Sequence, residues 1–464
     1  MKRIAIIGGG ISGLSAAFAL EQRRRQGAPL EYVLFESTPR FGGVIQTDRI
    51  EDCVIEAGPD SFLTEKPWAA DLCGELGLGD QLIGSNDRER KTYILVKGRL
   101  VPLPDGLMLM VPTKPLSAFS SPLFSWSAKL RMLREWFYRY TPSSSESTVA
   151  EFVTRHYGRE MVDRVADPLL AGVYGGSADE LSVAAVLPRF VEMEAQHGSL
   201  TRGMLASRTK RHGSVSPPLF TSLKNGMQQL VDALLAQIPK SVRRLNAPIE
   251  AVKPEFRKWL AMHSGRTEEF DAMVMAIPAY ETARLIGGAA PQLASDLRAI
   301  AYSSSVIAIF GYDDKVRAAL PPGFGFLVPQ KENRRMVAAT FVHNKFAHRA
   351  PEDRAIVRCF LGGARDEGAL QLPDDEIQLT VRQELNELVG ITVEPLFIRI
   401  YRWKSAMAQY GVGHVARVAR IRALAAAMPG LALAGNAYSG IGIPDCVRSG
   451  REAATKAMAD LSID

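Results

Sequence analysis

Lys2-Arg3-Ile4-Ala5-Ile6-Ile7-Gly8-Gly9-Gly10-Ile11-Ser12-Gly13 is the stretch that decides the fold. Four apolar residues run into Gly8-x-Gly10-x-x-Gly13, and Leu14, Ala17 and Leu20 then recur at helical spacing. A second apolar run, Tyr32-Val33-Leu34-Phe35, ends in Glu36, about 20 residues beyond the glycines. Strand, glycine turn, helix, strand and acid in this order are the dinucleotide-binding fingerprint in its required context. Gly8 permits a tight turn, Gly10 lets the backbone approach a pyrophosphate, and Gly13 lets helix and strand pack closely. Ile11 and Ser12 open a helix whose free N–H groups and positive dipole end face the phosphates. Glu36 can accept hydrogen bonds from both ribose hydroxyls and would repel a 2′-phosphate.

At 464 residues the chain exceeds one core, so two or three domains are expected. Apolar and charged fractions of 47% and 23% are those of an ordinary globular protein. The net charge of +6 is spread without a run of five like charges, which argues against a nucleic-acid partner. A mild excess of base suits an anionic substrate. Arg23-Arg24-Arg25 reads as a cap on the first helix, at its negative dipole end. Cys53, Cys73, Cys359 and Cys446 form no C-x-x-C, so no zinc or dithiol site is expected, only buried thiols in a reducing compartment. The first apolar run is too short for a signal peptide, and no run reaches the roughly 18 apolar residues of a membrane span. A cytoplasmic location is expected.

Residues up to about 65 read as α/β. From about 99 to 190 the pattern is helical, behind Pro102, Pro104, Pro112 and Pro115, with a polar break at Thr141-Pro142-Ser143-Ser144-Ser145-Glu146-Ser147. Strand-like runs return at 306–310, 324–328 and 336–341. A last strand, Leu431-Ala432-Leu433-Ala434, precedes a helix carrying Val447, Arg451, Ala454, Met458 and Leu461. No internal repeat is evident.

Further glycine sites sharpen the cofactor from nicotinamide to flavin. Ser37-Thr38-Pro39-Arg40-Phe41-Gly42-Gly43 lets the chain pass close to a cofactor, with Arg40 able to pair a phosphate. Ile55-Glu56-Ala57-Gly58-Pro59-Asp60-Ser61 adds another tight turn. Ala434-Gly435-Asn436-Ala437-Tyr438-Ser439-Gly440-Ile441-Gly442-Ile443-Pro444-Asp445 precedes the last helix, whose N-terminus would stabilise a reduced flavin ring. A flavin held along its whole length needs all of these. A nicotinamide domain needs only the first.

These residues resemble the flavin amine oxidase superfamily. Further phrases resemble the oxygen-dependent porphyrinogen oxidases of heme biosynthesis. They are Glu56-Ala57-Gly58-Pro59-Asp60-Ser61-Phe62, Pro168-Leu169-Leu170-Ala171-Gly172-Val173-Tyr174-Gly175-Gly176 and Gly323-Phe324-Gly325-Phe326-Leu327-Val328-Pro329, with Phe360-Leu361-Gly362-Gly363, Arg402-Trp403 and Gln409-Tyr410. The resemblance covers the whole chain. It implies an amine-oxidase-like α/β (α+β mixed) fold in three parts. A discontinuous Rossmann-like FAD domain would take 1–65, 223–290 and 415–464. A mixed-sheet substrate domain would take 66–98, 190–222 and 291–414. A helical domain, 99–189, would face the membrane, with Leu107-Met108-Leu109-Met110 and residues 119–126 as apolar contacts. Ordinary core or dimer packing explains those residues equally well.

The resemblance also implies the chemistry: six electrons leave a porphyrinogen in three hydride transfers to FAD, and oxygen reoxidises the cofactor with release of peroxide. The cofactor performs the hard step, so no catalytic side chain and no metal ligand set is named. Implied cofactor-binding residues are Gly8, Gly10, Ile11, Ser12, Gly13, Glu36, Arg40, Gly42, Gly43, Gly58, Pro59, Asp60, Ser61, Val252, Trp403, Gly435, Asn436, Gly442 and Ile443. Leu327 and Phe360 would sandwich one pyrrole, and the Gly172 carbonyl would lie near a pyrrole N–H. Thr92, after Lys91, stands where plant and animal relatives have an arginine, and Thr340 stands where they have an apolar residue. Arg90, Lys91 and Lys97 are substitutes for the missing carboxylate partner. Thr92, Thr340, Val111-Pro112-Thr113-Lys114 and Ile443-Pro444-Asp445-Cys446 resemble the Gram-positive bacterial subgroup, which favours the four-carboxylate coproporphyrinogen III over protoporphyrinogen IX. Implied partners are the porphyrinogen, oxygen, the inner face of the cell membrane and a ferrochelatase taking the product, with a monomer or homodimer as the assembly.

Three other readings stay open at this point. A flavin amine oxidase would use a lysine near the flavin and an aromatic pair, for which Trp403 and Tyr438 are candidates. A carotenoid desaturase would need a long apolar tunnel. A non-enzymatic dinucleotide-binding protein would bind without turnover. Yellow colour, and its anaerobic bleaching by a porphyrinogen and not by amines, separates them.

Overall fold

The computed structural model describes residues 1–108, 110–138, 146–209 and 217–463. Leu109 and residues 141–145 of the polar break lie outside them. Two compact units form: Met1–Ser85 with Pro218–Ala301 and Val415–Asp464, and Asn86–Pro217 with Tyr302–His414.

In the first unit the strand Lys2–Ile7 lies inside a five-stranded parallel sheet. Its neighbours are Leu30–Phe35, which is followed outward by Arg243–Arg244, and Ala272–Met275, which is followed by Leu431–Leu433. Ile4, Ala5 and Ile6 are fully buried, as an apolar strand covered on both faces must be. The helices Ile11–Arg25 and Ile443–Asp460 pack together; a Cβ at Gly450 would stand 2.1 Å from the Ser12 carbonyl oxygen, so their backbones touch there. Arg23, Arg24 and Arg25 occupy the last turn of the first helix, and Arg24 and Arg25 reach back to Glu21 at 2.9 and 3.0 Å. Residues 66–85, expected with the substrate sheet, belong to this unit, because the helix Trp68–Glu75 buries Leu72 and Cys73 in its core.

The second unit is built on a seven-stranded sheet in the order Phe397–Ala408, Tyr302–Asp313, Arg354–Gly362, Met336–Phe341, Gly325–Leu327, Thr92–Val96, Arg99–Pro102. One face carries Val306, Ala308, Phe310, Phe326, Ala339, Phe341, Val357 and Cys359 and packs against Ile377, Val381 and Leu385 of the helix Asp374–Val389. The stretch from Arg99 to Pro112, expected to be helical, carries strands instead: Arg99–Pro102 pairs with Thr92–Val96, and Leu107–Met108 pairs with Val111–Pro112. Pro102, Pro104 and Pro112 lack the amide hydrogen a helix interior needs, so helix begins only at Pro115–Ser120. This helical region shares the unit with the sheet. All four cysteines are buried, and burial pushes the Cys73 and Cys446 thiols up to about 12. Among the described residues no helix is long and apolar enough to cross a membrane, and no cluster of ligands for a metal ion occurs.

A buried charge cluster ties the helices of the second unit together. His156 Nδ1 lies 3.1 Å from Glu135 and its Nε2 lies 2.9 Å from Glu194. Glu135 also accepts from the Ser199 hydroxyl and the Leu200 amide, capping the helix Leu200–Thr209. Arg155 donates to Glu194 at 2.8 Å. Burial by itself would lower the His156 pKa, but the two carboxylates prevail and hold it above the ordinary imidazole value. Burial would likewise raise Glu135 and Glu194, yet their bonds to His156 and its neighbours keep both below the usual carboxylate range. The imidazolium contribution is full below about pH 6.5 and is lost as pH rises through the raised native value. His156→Gln is expected to destabilise this unit by about 3–5 kcal/mol at about pH 6, by leaving Glu135 buried without its cation and Glu194 with Arg155 alone. The gap from wild type should narrow with rising pH in thermal melts; a gap that stays constant from about pH 6 to 9 would contradict the charged pairing.

Candidate flavin and substrate sites

Register places the cofactor candidates of the first unit on one sheet edge. Ile7 pairs with Phe35 and Met275, and Met275 pairs with Leu433. Gly8, Glu36 and the Gly435 loop therefore leave the sheet at the carboxyl ends of parallel strands, where open α/β sheets bind ligands. Gly8 has φ +107°, and a Cβ on it would stand 2.4 Å from the Ala276 carbonyl oxygen. A Cβ on Gly13 would stand 1.9 Å from the Gly8 oxygen. These two glycines are required by the protein itself. Gly10 is not: the nearest atom to its absent Cβ is the Gly43 Cα, 3.9 Å away. Gly10 N-caps the helix Ile11–Arg25, which has neither a side-chain cap nor an acid in its first turn. An open space over Gly10 beside uncapped amides at Ile11, Ser12 and Gly13 fits a pyrophosphate.

Glu36 is buried, and its carboxylate accepts from the Gly9 and Thr38 amides, both at 2.8 Å. The Ser37 hydroxyl also donates to Oε1 at 3.3 Å, which leaves Oε2, bonded to the Gly9 amide, with a lone pair for a ribose hydroxyl. Arg40 differs from expectation. Its guanidinium donates to the carbonyls of Phe41, Gly43 and Ile45, so it shapes the Gly42-Gly43 loop beside Gly10 rather than standing ready for a phosphate. A Cβ on Gly58 would stand 1.8 Å from the Val44 oxygen, a close backbone approach before Pro59. Ser61 donates to the Asp60 carboxylate at 2.7 Å, and the Asp60 carbonyl accepts from Ser222. Val252 is buried in the strand Ala251–Glu255. The Gly435 amide donates to Ser449, and Asn436 follows it. Gly442 caps the helix Ile443–Asp460, whose first turn is anchored by Lys66 on Asp445 at 2.6 Å. Trp403 lies in the second unit.

The substrate candidates share the sheet face turned away from the Asp374–Val389 helix. Gly325 pairs with both Thr92 and Thr340, and Thr340 pairs with Arg358, which makes one rank across four strands. The next rank runs from Leu327 through Ala338 to Phe360. Ser305 pairs with Trp403 and brings it to the same face. Gly172 lies beside this face, with its absent Cβ 3.6 Å from Leu327 Cδ2. The proposed basic substitutes fare worse. Lys91 is exposed at the start of the strand Thr92–Val96. Arg90 is exposed near Asp87. Lys97 lies at the hairpin turn, about 16 Å from Thr92 at ~3.3 Å per residue. Sequence reasoning missed Arg358, which is buried with its guanidinium 4.8 Å from the Phe360 ring centre. The signal was present, since two-residue alternation sets positions 358 and 360 on one face.

The model of the family described as flavin containing amine oxidoreductase matches residues 11–458. The chain belongs to that family. It is 33% identical to the coproporphyrinogen III oxidase of Bacillus subtilis, covering 99% of this chain and 98% of the relative. It is 26% identical to protoporphyrinogen oxidase 2 of Arabidopsis thaliana, over 98% of this chain and 93% of that one. A crystal structure assigned as a protoporphyrinogen oxidase from Exiguobacterium sp. 255-15 superposes with a TM-score of 0.89 at 29% identity, covering 99% of both chains. Putrescine oxidase, at 18% identity and a TM-score of 0.70 over 99% of both chains, shares the fold. The protein is an FAD-dependent oxidoreductase with the mixed α/β fold of its family.

Gly10→Val should abolish flavin retention while matching flavin-stripped wild type in far-ultraviolet circular dichroism and melting, because its side chain enters space the protein leaves open. Gly13→Val should instead cost solubility and fold. Stoichiometric flavin in purified Gly10→Val would refute the placement.

Proposed function

We propose that the chain oxidises coproporphyrinogen III to coproporphyrin III in heme biosynthesis, consuming three molecules of oxygen and releasing three of peroxide. The observation that carries this reading is full-length similarity to enzymes named coproporphyrinogen III oxidase, from Bacillus subtilis at 33% and Staphylococcus aureus at 27% identity. Bound FAD supplies the hydride acceptor and passes the electrons to oxygen. The chain's own residues bind and orient. Leu327 and Phe360 offer a flat apolar surface to the macrocycle, and Gly172 leaves room beside them. Thr92 and Thr340 make that face more polar, which suits a ring with four carboxylates. Arg358 places a positive charge at the same end of the face, in line with Thr340.

Side-by-side kinetics should give a kcat/KM for coproporphyrinogen III about tenfold or more above that for protoporphyrinogen IX, a difference of ~1.4 kcal/mol. Phe360→Ala should raise KM about tenfold with flavin content unchanged. A preference for protoporphyrinogen IX would overturn the substrate assignment.

We further propose peripheral contact with an anionic membrane surface. Of the expected apolar contacts, Met110, Leu123 and Phe124 are buried core, whereas Trp126 is 72% exposed. Leu130, Leu133 and Phe137 follow it at helical spacing, all exposed, along the helix Trp126–Glu135 and just beyond it. Lys129 lies over the Trp126 ring at 4.7 Å, Arg131 and Arg134 are exposed on the same helix, and a basic helix with an exposed apolar stripe fits anionic headgroups. The protein should float with phosphatidylglycerol vesicles and not with phosphatidylcholine vesicles, and Trp126→Ser with Leu130→Ser should abolish flotation. Wild-type protein that stays in the pellet fraction with both would refute this contact.

A further inference from the structure

We propose that Arg365 is a positioning residue that holds the Gly172 helix against the Leu327 and Phe360 strands and thereby sets macrocycle affinity. This rests on the porphyrinogen reading above. The helix Asp167–Tyr174 follows a π-helical turn, Val162–Ala166, and ends at Gly175. Inserted π turns are frequent at functional sites, and here one sets the phase of the helix bearing Gly172.

One guanidinium joins all three substrate segments. Arg365 Nη2 donates to Asp167 Oδ2 at 2.6 Å, at the start of the Gly172 helix. Its Nη1 donates to the carbonyl of Val328 at 2.9 Å, one residue beyond Leu327. Its own backbone continues the strand Arg354–Gly362, which carries Phe360. The other Asp167 oxygen accepts from the Ala178 amide at 2.9 Å. Both charged side chains are nearly buried, at 11% and 9% exposure, so the pair is shielded and its geometry is rigid.

The adjoining residues fix the opposite end of the helix. The Ala364 amide donates to the Gly175 carbonyl at 2.7 Å. Gly363 has φ +74°, and a Cβ on it would stand 2.8 Å from that same oxygen, so its backbone lies flat against the helix end. Gln409 donates to the Tyr174 carbonyl at 2.7 Å. Ala364 and Gln409 thus hold the C-terminal end, and Arg365 holds the N-terminal end against Val328. With the pair removed the helix stays attached but is free to pivot, and Gly172 shifts relative to Leu327.

The test compares Arg365→Met, Arg365→Lys and the double variant Arg365→Met with Asp167→Asn, whose neutral amide keeps an oxygen for the Ala178 N–H, each as flavin-loaded full-length enzyme. Readouts are KM and kcat on coproporphyrinogen III, the Kd of coproporphyrin III by absorbance titration, flavin content and melting temperature. Arg365→Met is expected to raise KM and the coproporphyrin Kd about tenfold, with kcat and flavin content near wild type. Arg365→Lys should recover part of the affinity. The double variant, which leaves no unpaired buried charge, should regain melting temperature but not affinity. If Arg365→Met is insoluble, the double variant decides alone: wild-type affinity overturns the proposal and weakened affinity supports it. Unchanged KM in Arg365→Met overturns the proposal, as does affinity that recovers together with melting temperature in the double variant. A wild-type enzyme that leaves coproporphyrinogen III untouched overturns the functional reading, and this proposal with it.

Discussion

Gly13 approaches the carbonyl oxygen of Gly8 so closely that a methyl group at position 13 would lie 1.9 Å from it. That contact sets the angle at which the first helix leaves the first strand. Because the turn is this tight, the helix N-terminus sits directly beyond the strand and its uncapped amides face the open space over Gly10. The second strand, in register with the first, then delivers Glu36 to the Gly9 amide. The terminal helix meets the first at Gly450 and Ser12, again without room for a side chain. Two backbone approaches therefore organise this edge, and each needs glycine for reasons of space.

The second unit works by a different constraint. Its sheet has two chemically distinct faces, and pairing register decides which residues share them. One face is sealed by aliphatic and aromatic side chains against a helix. The other collects Thr92, Gly325, Leu327, Thr340, Arg358, Phe360 and Trp403 from strands far apart in sequence. A slip of one residue in any of these strands would exchange the faces and bury the wrong set. The buried ion pairs of this unit, Arg365 with Asp167 and His156 with Glu135 and Glu194, sit where helices must be held at one position. Apolar packing alone leaves such a position soft, whereas a shielded hydrogen-bonded pair has a narrow geometry.

Much of this was legible in the chain itself where the signal is local. The glycine fingerprint, the acid after the second strand, the run into the last helix and the strands near 306, 336 and 431 are patterns of spacing within one or two elements. The segments Arg99–Pro102, Leu107–Met108 and Val111–Pro112 misled because a pattern near prolines was read as helix, when the missing amide hydrogens favoured extended pairing. Arg40 misled for another reason: an arginine beside glycines is equally suited to a phosphate and to the carbonyls of its own loop, and only the folded loop shows the second. Lys97 drew attention by its charge, but a turn places it at the wrong end of its strand.

By itself, then, the sequence determined a dinucleotide-binding first unit and a flavin cofactor, since both are written in residue type and short-range period. The tertiary structure alone decided that Arg358 shares a sheet face with Thr340 and Phe360, that Arg365 links the Gly172 helix to two strands, and that His156 lies between two glutamates. Those contacts link residues that are distant along the chain, or depend on which way a face turns. Their energies come from burial and hydrogen-bond geometry that exist only once the elements have packed.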